Sequence, residues 1–289
     1  MRAASPISPA RLLALTALAM LAFAGNSLLC RAALSHTGID AASFTSLRLS
    51  SGALMLWLLA RARRGVQTGA GNWPSALALF VYAAGFSFAY VKLPTATGAL
   101  LLFGAVQATM IGRGLWLGDR LRRAQLLGLA LALAGLVVLL LPGLSAPSWQ
   151  GSLLMLSAGV AWGVYSLRGQ GAGDSLRVTA GNFLRAVPLT LGFSLLLLER
   201  VSLDPAGVGY ALASGALASA LGYVLWYTAL PALKAASAAT VQLAVPVLAA
   251  LGGIVLLGEP LTLRFAIAAA AVLGGIALVI AVRTSDQRR

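Results

Sequence analysis

Two arginines, Arg48 and Arg185, interrupt stretches that are otherwise apolar. An arginine at the centre of a membrane helix costs roughly 2.5–3.5 kcal/mol on insertion scales. Each therefore needs a use. One use is a clamp for a solute carboxylate. The other is structural: snorkelling, or pairing with helix-end carbonyls to lock the scaffold. Both sit near the start of their helices, so the structural role is the expectation for this buried pair of charges.

Aromatic and amide side chains are the better candidates for a binding cavity. Tyr82 and Phe86 share one helix face at i, i+4, and Ser219, Tyr223 and Tyr227 share another. Trp162 and Tyr165 follow on a further run, and Asn26 on the first. Gln107 and Gln242 stand within apolar runs. An amide facing lipid is costly, so both should face protein or a wet cavity. The expected substrate-binding set is Asn26, Tyr82, Phe86, Gln107, Trp162, Tyr165, Tyr223 and Gln242. The plainer alternatives are interhelical hydrogen bonds and interfacial anchoring. Gly85, Gly222 and Pro246 are candidate hinge or kink positions, with close helix packing as the other reading.

Much chemistry is excluded by inventory. One histidine, His36, and one cysteine, Cys30, cannot assemble a zinc site of the usual ligands, and no metal or cofactor is expected. The acidic residues Asp40, Asp119, Asp174, Glu199, Asp204, Glu259 and Asp286 all fall in loops or at helix ends. Ion-coupled carriers commonly hold a carboxylate at mid-membrane depth. Its absence favours uncoupled, gradient-driven movement, and catalysis by acid–base groups is disfavoured for the same reason.

The elements that position these residues follow from composition. The 289 residues are 60% hydrophobic and 10% charged, with a mean hydropathy of +0.90. A soluble surface carries about a quarter charged residues, so a soluble fold is excluded. Ten spans of about 20 residues use roughly 200 residues and leave only loops and tails. Apolar runs predict helices near 11–31, 41–60, 74–91, 95–112, 124–142, 151–168, 178–198, 206–229, 235–256 and 263–282. The first run, with Arg2 and Arg11 before it and Ala22-Phe23-Ala24 within it, imitates a cleavable leader. Its part in the repeat below argues that it is kept.

The net charge of +14 has a topological cause. With a cytoplasmic N-terminus, the inner segments hold Arg2, Arg11, Arg61, Arg63, Arg64, Arg113, Arg120, Arg122, Arg123, Arg168, Arg177, Lys234, Arg283, Arg288 and Arg289. The outer ones hold only Arg31, Lys92, Arg200 and Arg264. That bias places both termini in the cytoplasm. It also removes nucleic acid as a partner, since the charge is scattered over short loops.

The two halves resemble each other. Gly85-Phe86-x-x-x-Tyr90-x-x-Leu93-Pro94 recurs as Gly222-Tyr223-x-x-x-Tyr227-x-x-Leu230-Pro231. Leu47-Arg48 recurs as Leu184-Arg185, and Leu117-Gly118-Asp119-x-Leu121 as Leu257-Gly258-Glu259-x-Leu261. Near the starts, Ala22-Phe23 and Ser27-Leu28 match Ala161-Trp162 and Ser166-Leu167. Five helices per copy is an odd number, so the second copy enters the membrane from the opposite side. The expected architecture is an all-α membrane protein of ten helices. It divides into two inverted five-helix repeats, residues 1–143 and 144–289, with a site near the midplane between them.

The Trp116-Leu117-Gly118-Asp119-x-Leu121…Gly128…Gly135 pattern and its partner Leu257-Gly258-Glu259-x-Leu261…Gly275 resemble the EamA repeats of the drug/metabolite transporter superfamily. The arginine in the second helix of each repeat matches as well, as does Pro246; Val106 takes its place in the first half. The resemblance covers nearly the whole chain and implies a ten-helix exporter or exchanger of small metabolites. Within the superfamily, the bacterial exporters of aromatic amino acids are similar in size and aromatic content.

The expected function is export or exchange of a small neutral or zwitterionic solute, amino acids foremost, by alternating access. The expected setting is the lipid bilayer of the inner membrane, as monomer or homodimer. A cationic-drug exporter is the alternative, weakened by the lack of a membrane carboxylate. A polytopic lipid-modifying enzyme is the rival class.

Overall fold

The computed structural model describes residues 8–63, 70–118, 122–142, 146–169, 173–233 and 241–286, with side chains as far as residue 280. Arg64, Asp119, Arg120, Leu121 and Lys234, and the expected boundary between the halves, lie outside the described residues. The described elements are helical throughout. They are α1 (Pro9–His36), α2 (Ala41–Ala62), α3 (Trp73–Tyr90), α4 (Thr95–Trp116) and α5 (Arg123–Leu140). Then come α6 (Trp149–Gly169), α7 (Ser175–Leu195), α8 (Pro205–Ala213), a π-helical stretch Ser214–Leu221, α9 (Gly222–Ala229), α10 (Ala244–Leu257) and α11 (Leu263–Asp286). α8, the π stretch and α9 run on as one segment, so the described residues make ten helical segments, short 3-10 turns aside, and the chain is an all-α membrane protein.

Among the described residues, six segments are long and apolar enough to cross a membrane on their own: α1, α3, α4, α5, Pro205–Ala232 and Leu263–Ile280. α2 and α7 carry Arg48 and Arg185 among serines, threonines and an asparagine, which lowers their hydropathy. Between these two helices Ser46 of α2 makes hydrogen bonds with Thr190 and Ser194 of α7.

Helix starts are set by short polar side chains. Ser8, Asp40, Asn72, Asp174 and Asp204 cap α1, α2, α3, α7 and α8 by accepting from backbone N–H groups of the first turn. Three of the acidic residues are thereby committed to structure.

The packing is pairwise. α5 lies against α11, α2 against α7, α3 and α4 against α6, and α1 against both α10 and the α8–α9 segment. Small residues permit these approaches. A Cβ on Gly128 would lie 2.6 Å from the Gly275 carbonyl oxygen, and one on Gly275 would strike the Gly128 carbonyl. The small residues of the fifth and tenth helices thus face each other within the chain.

Candidate functional site

A cavity of about 20 Å³ lies inside the bundle. Its walls are Phe23, Asn26 and Ser27 of α1, Tyr82 and Phe86 of α3, Leu102 and Phe103 of α4, Trp162 of α6, Ala218 and Ser219 of the π stretch, and Tyr223 of α9. Both halves contribute. That space holds about one water-sized group, so a larger solute needs the walls to part.

Trp162 is the hub of the rings. Its ring centroid lies 4.9 Å from that of Tyr82, 5.0 Å from that of Tyr223 and 6.4 Å from that of Phe23. Tyr82 and Phe86, one turn apart on α3, stand at 5.4 Å. Offset and edge contacts of this kind each add about 0.5–1.5 kcal/mol beyond burial.

Arg48 lies against one side of this ring cluster. It is 1% exposed, and its guanidinium carbon sits 4.8 Å from the Phe86 ring centroid and 5.2 Å from that of Tyr82. Nη2 donates to Tyr82 Oη at 3.0 Å and Nε to Ser219 Oγ at 3.3 Å, while Nη1 has no partner. Among the described residues the ion pairs are Arg31–Glu259 and Arg63–Asp174, and neither includes Arg48. Asn26 joins the group, with Nδ2 donating to Tyr82 Oη at 3.3 Å. Its Oδ1 accepts from Ser214 at 2.7 Å and Ser219 at 3.5 Å.

Local backbone explains this convergence. Ser214 and Ser219 are five residues apart, which an α-helix splays to different faces. The π-helical winding brings both hydroxyls to Asn26. Gly215 within that stretch lies directly against the Arg48 carbonyl, so α2 and the π stretch approach at backbone contact.

The two arginines that the sequence pairs have different surroundings. Arg185 Nη1 donates to the Gly181 carbonyl at 2.9 Å and to the Ala70 carbonyl, tying α7 to the segment before α3. Arg48 is bonded to cavity walls.

Of the expected binding set, Asn26, Tyr82, Phe86, Trp162 and Tyr223 stand together in the walls. Gln107, Gln242 and Tyr165 are buried but are not among the walls. Tyr165 stacks on Trp162 at 5.4 Å from behind and accepts from Asn182 at 3.5 Å. Gln242 precedes the break at Leu243, and Pro246 is the third residue of α10. Having no N–H, Pro246 leaves the Gln242 carbonyl without its helical partner. Gly85 lies in uninterrupted α3, where a Cβ would meet the Leu154 carbonyl of α6 at 3.1 Å. Gly222 closes the π stretch and abuts Ala22 of α1. Sequence reasoning did not place Phe23, Ser27 or Ser214 at the site. Phe23 carried a signal, since it is the repeat counterpart of Trp162; Ser214 carried none.

A second, wider space of about 370 Å³ is lined by Arg63, Asp174, Ser175, Thr179, Tyr223, Tyr227 and Thr228, among others. Tyr223 is a wall of both spaces.

Comparison with known proteins agrees with this architecture. The EamA-like transporter family matches residues 149–281. An uncharacterized Pseudomonas aeruginosa protein is 62% identical over 280 residues, covering 96% of this chain and 98% of that one. An uncharacterized transporter of Archaeoglobus fulgidus is 30% identical over 261 residues, covering 85% and 89%. One solved crystal structure shares the fold with a TM-score of 0.66 at 22% identity, covering 95% of this chain and 99% of that one. The chain belongs to the EamA-like transporter family, within the drug/metabolite transporter superfamily.

Proposed function

We propose that this transporter moves a small amino acid-like solute outward across the bacterial inner membrane by alternating access. In this reading residues 1–143 and 144–289 are inverted halves, both termini are cytoplasmic, and the unit works as a monomer or homodimer. The observation that carries the reading is the ring-lined cavity with one polar corner, built from helices of both halves. Rings bury an apolar side chain, and a few placed polar groups orient the backbone end of the solute.

The surroundings support a moving barrier. With the orientation given by the arginine bias, the 370 Å³ space opens to the cytoplasm, and Tyr223 separates it from the inner cavity. The opposite end is tied shut by Arg31 and Glu259. A buried guanidinium at the walls disfavours a cationic drug, and walls without carboxylate or imidazole disfavour a lipid-modifying enzyme.

The test is counterflow in proteoliposomes of the pure chain. Labelled L-phenylalanine outside should accumulate against unlabelled L-phenylalanine inside. Absence of flux for every proteinogenic amino acid overturns the amino-acid reading. Reporter fusions after Arg64, Arg123 and Arg289 should report cytoplasm, and a periplasmic signal at Arg289 ends the inverted topology.

A further inference from the structure

We infer that Arg48, Tyr82 and Tyr223 form a carboxylate-binding locus, so that the solute must bring an anionic head to this cavity. The inference rests on the solute reading above and names the chemistry of its site.

The argument is a donor count. Arg48 is a fully buried cation whose two bonded nitrogens go to neutral hydroxyls, and its third, Nη1, has no acceptor. Tyr223 Oη, 3% exposed, has no partner either. Tyr82 Oη receives from both Arg48 and Asn26, which leaves its own O–H proton available to donate. Ser219 Oγ receives from Arg48 and gives to Asn26 Oδ1. Asn26 Oδ1 is in turn occupied by two serines. The polar corner is thus rich in N–H and O–H groups and short of acceptors.

A carboxylate is the complement of such a corner. It is acceptor-only, offers about four lone-pair sites and carries the charge that offsets a guanidinium. An amide brings its own donors to a place already in surplus. An ammonium adds a second cation beside Arg48. Leaving donors and a cation unpaired in a dry interior is costly, and a carboxylate bound there recovers that cost only while the solute is bound. Binding is then strongest for solutes that carry the anion. The aromatic walls stand beside this corner, so the acid head and an apolar body are held at neighbouring points. Arg48 touches three of the walls, Tyr82, Phe86 and Ser219, so parting of those walls brings the head to its free N–H.

The test uses proteoliposomes of the full chain, with counterflow of labelled L-phenylalanine as readout. Three competitors are compared: L-phenylalanine, 3-phenylpropanoate, which keeps the carboxylate without the ammonium, and L-phenylalaninamide, which keeps the ammonium without the carboxylate. The two acids should compete, and the amide should be weaker by on the order of 10-fold to 100-fold, the range of a lost charge-assisted hydrogen bond. Tyr223→Phe should weaken both acids several-fold and leave the amide unchanged. Arg48→Gln should erase the difference between acid and amide. If Arg48→Gln fails to fold, the wild-type comparison and Tyr223→Phe decide. An amide that competes as well as the acid overturns the carboxylate locus and leaves the solute reading standing. Tyr223→Phe with unchanged acid affinity also overturns it. No flux of any proteinogenic amino acid in the wild type overturns both.

Discussion

Arg31 and Glu259, 228 residues apart in the chain, meet with Nε 3.1 Å from Oε1. Arg31 Nη1 also donates to the Tyr90 carbonyl at 2.9 Å, and Glu259 Oε2 accepts from the Thr95 backbone at 2.8 Å. The pair therefore ties α1, the α3–α4 turn and the α10–α11 turn at one end of the bundle. Cys30, the only cysteine, is buried beside it.

Glu259→Gln removes the charge partner and should cost about 1–3 kcal/mol, because Arg31 is left partly buried without it. The tied end should open more often. Maleimide labelling of Cys30, slow in the wild type, should accelerate in Glu259→Gln. Equal labelling rates in the two proteins mean that the pair does not hold this end closed.

Asp40 joins two loops. Its Oδ1 accepts from the Ala42 and Ser43 backbone at 2.9 Å each, and Oδ2 from Ser202 at 3.0 Å. Burial pushes its pKa up, but the hydrogen bonds from Ser43, Ser202 and Ala42 outweigh burial and hold it below the ordinary 3.8. A lowered carboxyl pKa contributes stability above the ordinary value and loses it as pH falls through the folded value. Asp40→Ala should cost about 1 kcal/mol at pH 7 by loss of the cap. Melting curves of the two detergent-solubilised proteins should converge as pH is lowered past 3.8. A gap that does not narrow as pH falls below 3.8 would place the effect in packing.

Gly128 and Gly275 let α5 and α11 touch at the backbone. Gly275→Val should force the helices apart and cost about 1–3 kcal/mol. The check is thermal stability in detergent, with monomer–dimer distribution measured in parallel. Unchanged stability with a changed oligomeric state would assign this face to contacts between chains.

Solute flux should persist when the pH and sodium gradients are collapsed. Among the described acidic residues, Asp40, Asp174 and Asp204 cap helices and Glu259 holds Arg31 at a helix end. None touches the cavity walls as an ion pair. Strict dependence on either gradient would require a titrating group elsewhere, and His36 and the loop acids would be the next variants to make.

The membrane class, the helical spans and the candidate rings were legible in the chain because they depend on composition and on short-range spacing. Sustained apolar runs must become helices in lipid, where each backbone group needs an internal partner. Tyr82 and Phe86 share a face by helical geometry alone. The repeat named pairs such as Leu47-Arg48 with Leu184-Arg185, and Phe23 with Trp162.

What the chain alone could not decide was which member of each pair meets the cavity. Arg48 and Arg185 have equivalent positions in their repeats, yet Arg185 faces backbone carbonyls and Arg48 faces tyrosines, because those contacts come from segments distant in sequence. Gln107 and Gln242 had the same local reason to turn inward as Asn26, but they are buried between helices without reaching the cavity. The π stretch, which gathers Ser214 and Ser219 onto Asn26, rests on the close approach of Gly215 to α2 and has no local sequence mark. Periodicity tells which residues share a face; only the packing of ten helices tells what that face meets.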